Sequence, residues 1–327
     1  METIYFDSMF DDFGVWQHTD GNKPIAKEGY ALDDATRGLL LCLSLGKMYK
    51  ANVLFDYIVS SKNGDKIYGF ATDKREFIPN SASEDAVGQI VWAFGYCVNV
   101  GFRSKEARDF ITSIIPILQK MTSFRGPVYA LLGALYVDKK LSNDLYRNIT
   151  KRFENLDESW LWPEITITYG NGIVPYALLR YALLNKDKKA EKLGRDVLEF
   201  LEKVCTTNRV RGPIGNDGWY TKGDKLPAIY SQQPIDAAYM VWAWMCAFQL
   251  SNSPADLKNA KLWMQWFDGK NIADCPMYDK DTLKAYDGIN PINADHSNEK
   301  GINHHSGAET NICFLLSRWM LKAKQTI

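Results

Sequence analysis

Six segments of this chain share one unusual pattern. Aligned at their starts they read LDDATRGLLLCLSLG, SEDAVGQIVWAFGYC, RGPVYALLGALYV, GNGIVPYALLRYALL, QPIDAAYMVWAWMCAF and GAETNICFLLSRWM. Each begins with polar, Gly or Pro residues and then turns almost wholly apolar. A helix that is greasy nearly all round has to be covered on most sides. Most are followed by a more amphipathic helix, such as SKEARDFITSIIPILQKM or KKAEKLGRDVLEFLEKV, with one apolar stripe and one charged face. The periodicity predicts helix pairs at 33–47 and 49–60, 84–100 and 105–121, 127–137 and 143–154, 172–184 and 187–204, and 234–250 and 254–268, with a last helix at 307–324. Strand signals are confined to short pieces at 65–70 and 164–169.

Buried helices alternating with outer ones indicate an internal repeat. An open stack would expose an apolar groove and keep a stricter period. Irregular spacing and large insertions favour closure, and the expected fold is all-α, an (α/α)6 toroid forming a single domain over residues 1–327. In such a ring the inner helices run the same way. Their N-terminal ends then share one face, and the loops entering them line a common bowl.

Composition narrows the function. Lys+Arg and Asp+Glu balance at 39 each, with no long run of one sign, which argues against a nucleic-acid binder. The six Cys are scattered and form no C-x-x-C; Cys42, Cys97, Cys246 and Cys313 fall in apolar stretches as small hydrophobes. The start METIYFDSMFDDFG lacks the basic and apolar regions of a signal peptide. The apolar stretch Met240–Phe248 is too short to span a bilayer. A cytoplasmic protein without a membrane span is expected.

The segments that lead into the inner helices carry Asp33 and Asp34, Glu84 and Asp85, Asn171, Asp236 and Glu309. Insertions on the same side add Glu164 and Tyr169, Asn216, Asp217 and Trp219, Gln232 and Gln233, and Asp287, whereas the opposite loops (SKNGDK, NKDKK, SNSPADLKN) are lysine-rich turns. Singly, each acid reads as a helix cap: Ser83 or Glu84 for the second inner helix, Asn171 for the fourth, Gly307 for the last. Together with Trp, Tyr, Asn and Gln they suit carbohydrate chemistry. Glycoside hydrolysis needs one protonated carboxyl and one ionised carboxylate, and crowding or burial separates their pKa values. Successive residues in a first helical turn point about 100° apart, so only one acid of each doublet can face the centre.

At these residues FGVWQHTDGNKPIAKEGYALDDATRG resembles the opening of a helical-toroid domain of the six-hairpin glycosidase kind, found fused to or encoded beside retaining-type glycosyltransferases and mannoside phosphorylases. The matching residues run in order over nearly the whole chain: Gln17-His18, Gly29-Tyr30, Asp33-Asp34 with Arg37, Ser83-Glu84-Asp85, Thr168-Tyr169 with Asn171, Gly215-Asn216 with Gly218-Trp219, Gln232-Gln233-Pro234, Asp287-Gly288 and Gly307-Ala308-Glu309. Gln89 stands where the pattern has Arg, and Asp236 where it has Glu.

The resemblance implies a role in glycan metabolism and association with a glycosyltransferase. The chain has no Rossmann-like half and no Gly-rich phosphate loop, so a nucleotide-sugar transferase of the usual folds is excluded. The expected activity is a glycoside hydrolase, inverting, on an oligosaccharide or glycoconjugate, with a mannoside suggested by the family's company; phosphorolysis stays open. No cofactor is expected. Asp34 and Asp85 are the first catalytic candidates, then Asp287 and Glu164. Trp16, Tyr30, Tyr169 and Trp219 are expected to stack on sugar rings, and Asn171, Asn216 and Gln233 to bind hydroxyls. His18, Asp33, Arg37, Glu84, Asp217, Gln232, Asp236 and Glu309 complete the substrate-binding set. Asp33 is expected to support the start of its helix while Asp34 faces the substrate.

Three rivals stand beside this reading. A metal-dependent toroid enzyme would draw on Asp295, His296, His304, His305 and Cys313, at a spacing that matches no familiar ligand pattern. A sugar epimerase on the same fold would use His as acid and base, and His18 alone does not serve both faces. A non-catalytic glycan-binding partner of a glycosyltransferase would keep the aromatic bowl without paired acids.

Overall fold

Gly95 and Gly133 explain how two of the buried helices pack. A methyl group on Gly133 would fall 1.7 Å from the Val91 carbonyl oxygen, and one on Gly95 would fall 2.3 Å from the Gly133 Cα. Gly88 and Gly126 make a similar approach one heptad earlier, where a methyl on Gly88 would lie 2.2 Å from the Gly126 carbonyl oxygen. Two helices whose backbones meet at both points lie in direct contact and run in the same direction.

The computed structural model describes residues 3–21, 23–207, 210–292, 294 and 297–327, with the backbone alone at 207. The chain divides into two compact units, residues 3–150 and 151–326. The first holds α1 (Ile4–Ser8), α2 (Leu32–Ser44), α3 (Met48–Ser60), α4 (Glu84–Val100), α5 (Ser104–Leu118) and α6 (Arg125–Ala134), and closes with α7 (Lys139–Lys151). The second holds α8 (Ile173–Asn185), α9 (Lys188–Val204), α10 (Pro234–Ser251), α11 (Pro254–Met264) and α12 (Ala308–Ala323). No described helix is long and apolar enough to cross a membrane.

The helix pairs therefore fall where the sequence periodicity places them. α11, expected at 254–268, ends four residues early, and α7, expected at 143–154, starts four residues earlier. Asp138 explains it: its Oδ1 accepts from the Leu141 N–H at 2.7 Å, supplying the cap. α1 is an addition that the periodicity does not announce.

In the first unit α2, α4 and α6 are the buried helices. α3 packs on α2 and α5 on α4. Contacts between α2 and α4 occur at Thr36–Gln89 near their starts and at Ser44–Tyr96 near their ends, so these two also run parallel. The N-termini of α2, α4 and α6 thus share one end of this unit. In the second unit α10 packs between α8 and α12, with α9 on α8 and α11 on α10. Asn171–Asp236 and then Tyr176–Trp242 mark α8 and α10 as parallel. Cys42, Cys97, Cys246 and Cys313 are buried, as their apolar settings require.

Strands are two or three residues long. Tyr30–Ala31 pairs with Phe70–Ala71, Thr166–Ile167 with Tyr220–Thr221, and Gly288–Ile289 with Ile302–Asn303, all antiparallel. They pin the insertions at the ends of the buried helices.

Candidate active site

The first turn of α2 carries a charged lock. Arg37, which is buried, directs Nη2 to Asp33 Oδ2 at 3.0 Å and to Asp34 Oδ1 at 3.4 Å, while Nη1 donates to Gln89 Oε1 of α4 at 3.1 Å. The spacing from Asp33 to Arg37 is one helical turn, which stacks the two side chains on one face. Asp33 supports the start of α2: its Oδ1 accepts from the Asp34 N–H at 3.2 Å. The residue at the cap position is Ala31, whose side chain makes no cap, and the Leu32 N–H is satisfied by the Gly69 carbonyl at 2.8 Å. Asp33 is also the open member of the doublet, with its side chain 36% exposed against 5% for Asp34.

The second doublet is divided differently. Glu84 accepts from the backbone N–H groups of Thr122 at 2.9 Å and Ser123 at 2.6 Å, just before α6. Burial opposes ionisation of Glu84, but these hydrogen bonds outweigh it and hold its carboxyl below the usual glutamate range. These bonds tie α4 to the start of α6. Ser83 caps α4 through its hydroxyl, accepting from Ala86 N–H at 3.1 Å. Asp85 lies in the same turn and is half-buried, as Glu84 is.

The expectation for Tyr30 needs correction. Its ring is 1% exposed, stacked on Trp16 at 4.3 Å between centroids and met edge-on by Phe13 at 4.9 Å, and its hydroxyl donates to Asp11 Oδ2 at 2.6 Å. Both faces are used, so Tyr30 supports the wall and Trp16, half-buried, is the ring that reaches the surface. Burial, followed by the charges of Asp34 and Asp33, raises the Tyr57 phenol and keeps it protonated behind the doublet. His18 is half-buried in the strand His18–Asp20.

In the second unit several candidate polar groups turn out to be fasteners. Asp287 Oδ1 accepts from Gly307 N–H at 2.7 Å and from Thr310 Oγ1 at 2.8 Å, closing the N-terminus of α12 in the place of a local cap. Gln232 is buried, accepts from the Trp266 indole at 2.9 Å, and exchanges backbone hydrogen bonds with Ile289 at 3.0 and 3.1 Å. Gly172 stands at the cap position of α8; the Asn171 side chain donates to the Thr168 carbonyl at 2.7 Å, while its N–H donates to the buried Asp236 at 3.1 Å. Gly307 does stand at the start of α12, as expected, with Glu309 half-buried in the following turn.

More open are Glu164, Gln233 at the head of α10, Asn216, and Tyr169, which is 44% exposed. Asp217 is exposed on the loop that also holds Trp219. Trp219 has φ +59°, a left-handed conformation that a bulky residue adopts only at a cost. Backbone bonds from Trp219 N–H to Gly215 O at 3.0 Å and from Ala228 N–H to Trp219 O at 2.9 Å hold it there.

His304 is exposed, packs edge-on against Tyr286, and lies 3.0 Å from the Asn298 amide; burial and then Lys284 lower its pKa and favour the neutral ring. Asp295 and His296 lie outside the described residues. Among the described residues no group of three His, Cys, Asp or Glu side chains is placed to hold a metal.

Two residues at the first unit's helix ends escape the candidate set derived from sequence. Gln89 and Arg125 are both buried, in α4 and at the first position of α6. The available signal was a polar side chain inside an otherwise apolar inner helix, the same signal that Arg37 gives.

No protein-family model matches the chain, and no match is found among curated proteins. Solved structures do match. A D-mannose isomerase is 12% identical with a TM-score of 0.74, covering 99% of this chain and 95% of its own. A cellobiose 2-epimerase from Bacillus thermoamylovorans is 13% identical with a TM-score of 0.69, over 96% of this chain and 95% of its own. A GH76 α-mannanase from Bacteroides thetaiotaomicron is 14% identical with a TM-score of 0.54, over 90% of this chain and 84% of its own. At these identities the likeness speaks to architecture, and the helix pairs of this chain are those of the (α/α)6 toroid.

Proposed function

We propose that this protein is a glycoside hydrolase acting by inversion on an oligosaccharide or glycoconjugate, with residues 1–327 as one catalytic domain. The observation that carries the reading is the set of acids at the starts of the parallel helices α2 and α4: Asp33 and Asp34 against one buried guanidinium, and Asp85 in the first turn of α4. Asp34, in contact with Arg37 Nη2 at 3.4 Å, takes the part of base toward water in this reading. Asp85 is then the proton donor to the leaving oxygen. Attack by water at the anomeric carbon breaks the bond to the leaving oxygen, which takes the Asp85 proton, while Asp34 accepts a proton from the water. Within the same unit Trp16 supplies an aromatic face. A mannoside substrate and association with a glycosyltransferase rest on the sequence resemblance.

The test is proton NMR of mannose-, glucose- and galactose-based oligosaccharides with the wild-type protein, Asp34→Asn and Asp85→Asn. The expected result is release of one anomer of inverted configuration by the wild type and loss of at least about 1,000-fold in rate in each variant, with native circular dichroism. Wild-type rates in both variants would remove the assignment.

A second reading is favoured by the isomerase and epimerase among the similar structures. It makes the chain a sugar isomerase or epimerase that moves a proton at the carbon next to the carbonyl of a reducing sugar. The same NMR spectra separate the two, because isomerisation changes the sugar without releasing one and exchanges a carbon-bound hydrogen with deuterium from the solvent.

A further inference from the structure

Gln89 lies in the second turn of α4 and is only 4% exposed. A buried amide is costly unless its polar atoms are satisfied. Its Oε1 accepts from Arg37 Nη1 at 3.1 Å and from the Thr36 hydroxyl at 3.2 Å, a hydroxyl that also reaches the Asp33 carbonyl at 2.8 Å. Gln89 thus touches α2 at the two side chains that flank the aspartate doublet from behind.

The guanidinium is a rigid, planar fork. Fixing Nη1 on one acceptor fixes where Nη2 points, and here Nη2 points at Asp33 and Asp34. We infer that Gln89 is a positioning residue, which aims the Arg37 fork at the Asp33–Asp34 doublet. The inference rests on the reading that this doublet serves the reaction. Both the length and the neutrality of the side chain matter. A methionine fills the same space without accepting the Nη1 hydrogen bond. A glutamate keeps the geometry but competes with the doublet for the positive charge.

The charged and titratable groups around the doublet bear on the test. They are Arg37 on α2 itself and the Tyr57 phenol on α3; the helices beyond open with Glu84 and Asp85 in α4 and Arg125 in α6. Gln89→Met adds no charge to this set, so a shift of the doublet in that variant reports the lost fork, whereas Gln89→Glu adds a carboxylate of its own.

The experiment uses the full chain labelled with 13C at aspartate carboxyls, titrated by NMR as wild type, Gln89→Met and Gln89→Glu. The Asp34 signal is assigned by its loss in Asp34→Asn. In Gln89→Met the Asp34 midpoint is expected to rise by about one pH unit, because a nearby cation lowers a carboxyl by one to three units when well placed. Gln89→Glu, which preserves shape, is expected to shift it at least as far and guards against misfolding of the methionine variant. A midpoint unchanged in both folded variants overturns the inference. In the glycosidase assay Gln89→Met is expected to lower kcat about tenfold with KM within twofold, the pattern of a misaimed charge. A shifted midpoint combined with wild-type turnover by Asp34→Asn upholds the positioning role and rejects the hydrolase mechanism, so the two failures are distinguishable.

Discussion

Arg37 and Asp33 lie one helical turn apart on α2 with 3.0 Å between Nη2 and Oδ2, the guanidinium buried and the carboxylate partly open. This asymmetry makes the two partners unequal in mutation. Removing the buried cation by Arg37→Met strands Asp34 in a site with little water, and breaking a buried pair this way costs about 3–5 kcal/mol. Asp33→Asn removes the exposed partner and is expected to cost no more than about 1 kcal/mol. Urea unfolding of both variants at pH 7 measures the difference. Equal losses would mean that the two acids share the cation evenly.

The contact of α4 with α6 makes a sharper prediction. A methyl on Gly133 meets backbone, at 1.7 Å from the Val91 carbonyl oxygen, and neither helix can yield without moving as a body. Overpacking of this kind costs about 1–3 kcal/mol in ordinary cores and more where backbone is the obstacle, so Gly133→Ala is expected to lose at least about 3 kcal/mol. Gly46 is the control. It has φ +70° but nothing within 4 Å of an added methyl, and its alanine variant is expected to lose only about 1 kcal/mol from left-handed backbone strain. Thermal unfolding of the pair settles whether close approach, and not flexibility, explains Gly133.

These glycines also show what the sequence could and could not reveal. Apolar runs such as Leu39–Leu43 and Met240–Ala247 announced buried helices, because a helix without a polar face has to be enclosed. α7 was displaced because Asp138 caps from outside the periodic stretch, a local hydrogen bond that periodicity does not sense. For the candidate site, the sequence identified polar residues at helix ends but not their partners. Glu84 and Asp287 have the composition of catalytic acids, yet long-range bonds to Thr122, Ser123, Gly307 and Thr310 give both a fastening role. Gln89 was visible as an oddity, and its meaning needed Arg37 beside it.

Glu84 should leave a mark on the pH dependence of stability. Its carboxyl is held below the usual value, near 4.3, by hydrogen bonds that outweigh burial, so the folded state binds its proton less readily than the unfolded chain does. Its contribution is complete above the unfolded value and is lost as pH falls through the lower folded one. The carboxylate is largely open to solvent, so the contribution is expected to be about 1 kcal/mol, as for a helix cap. Glu84→Gln should therefore be less stable than the wild type in urea at pH 7, and the gap should narrow by pH 3. A gap constant with pH would mean that packing, not charge, ties α4 to α6.

Trp219 offers a test that separates strain from function. Its left-handed backbone, φ +59°, costs an L-residue about 1–2 kcal/mol, a penalty that glycine does not carry. Trp219→Ala removes the ring and keeps the strain, whereas Trp219→Gly removes both. The glycine variant is therefore expected to be more stable than the alanine variant by about 1 kcal/mol in urea unfolding. If the ring is a platform for a sugar, both variants should lose at least about tenfold in oligosaccharide affinity by titration calorimetry, in line with about 0.5–1.5 kcal/mol per aromatic contact plus its buried area. A glycine variant that gains stability and binds as the wild type does would leave the strained backbone without a functional return. Parallel loss of affinity in both, with stability regained only by glycine, would tie the strained conformation to the placement of the indole.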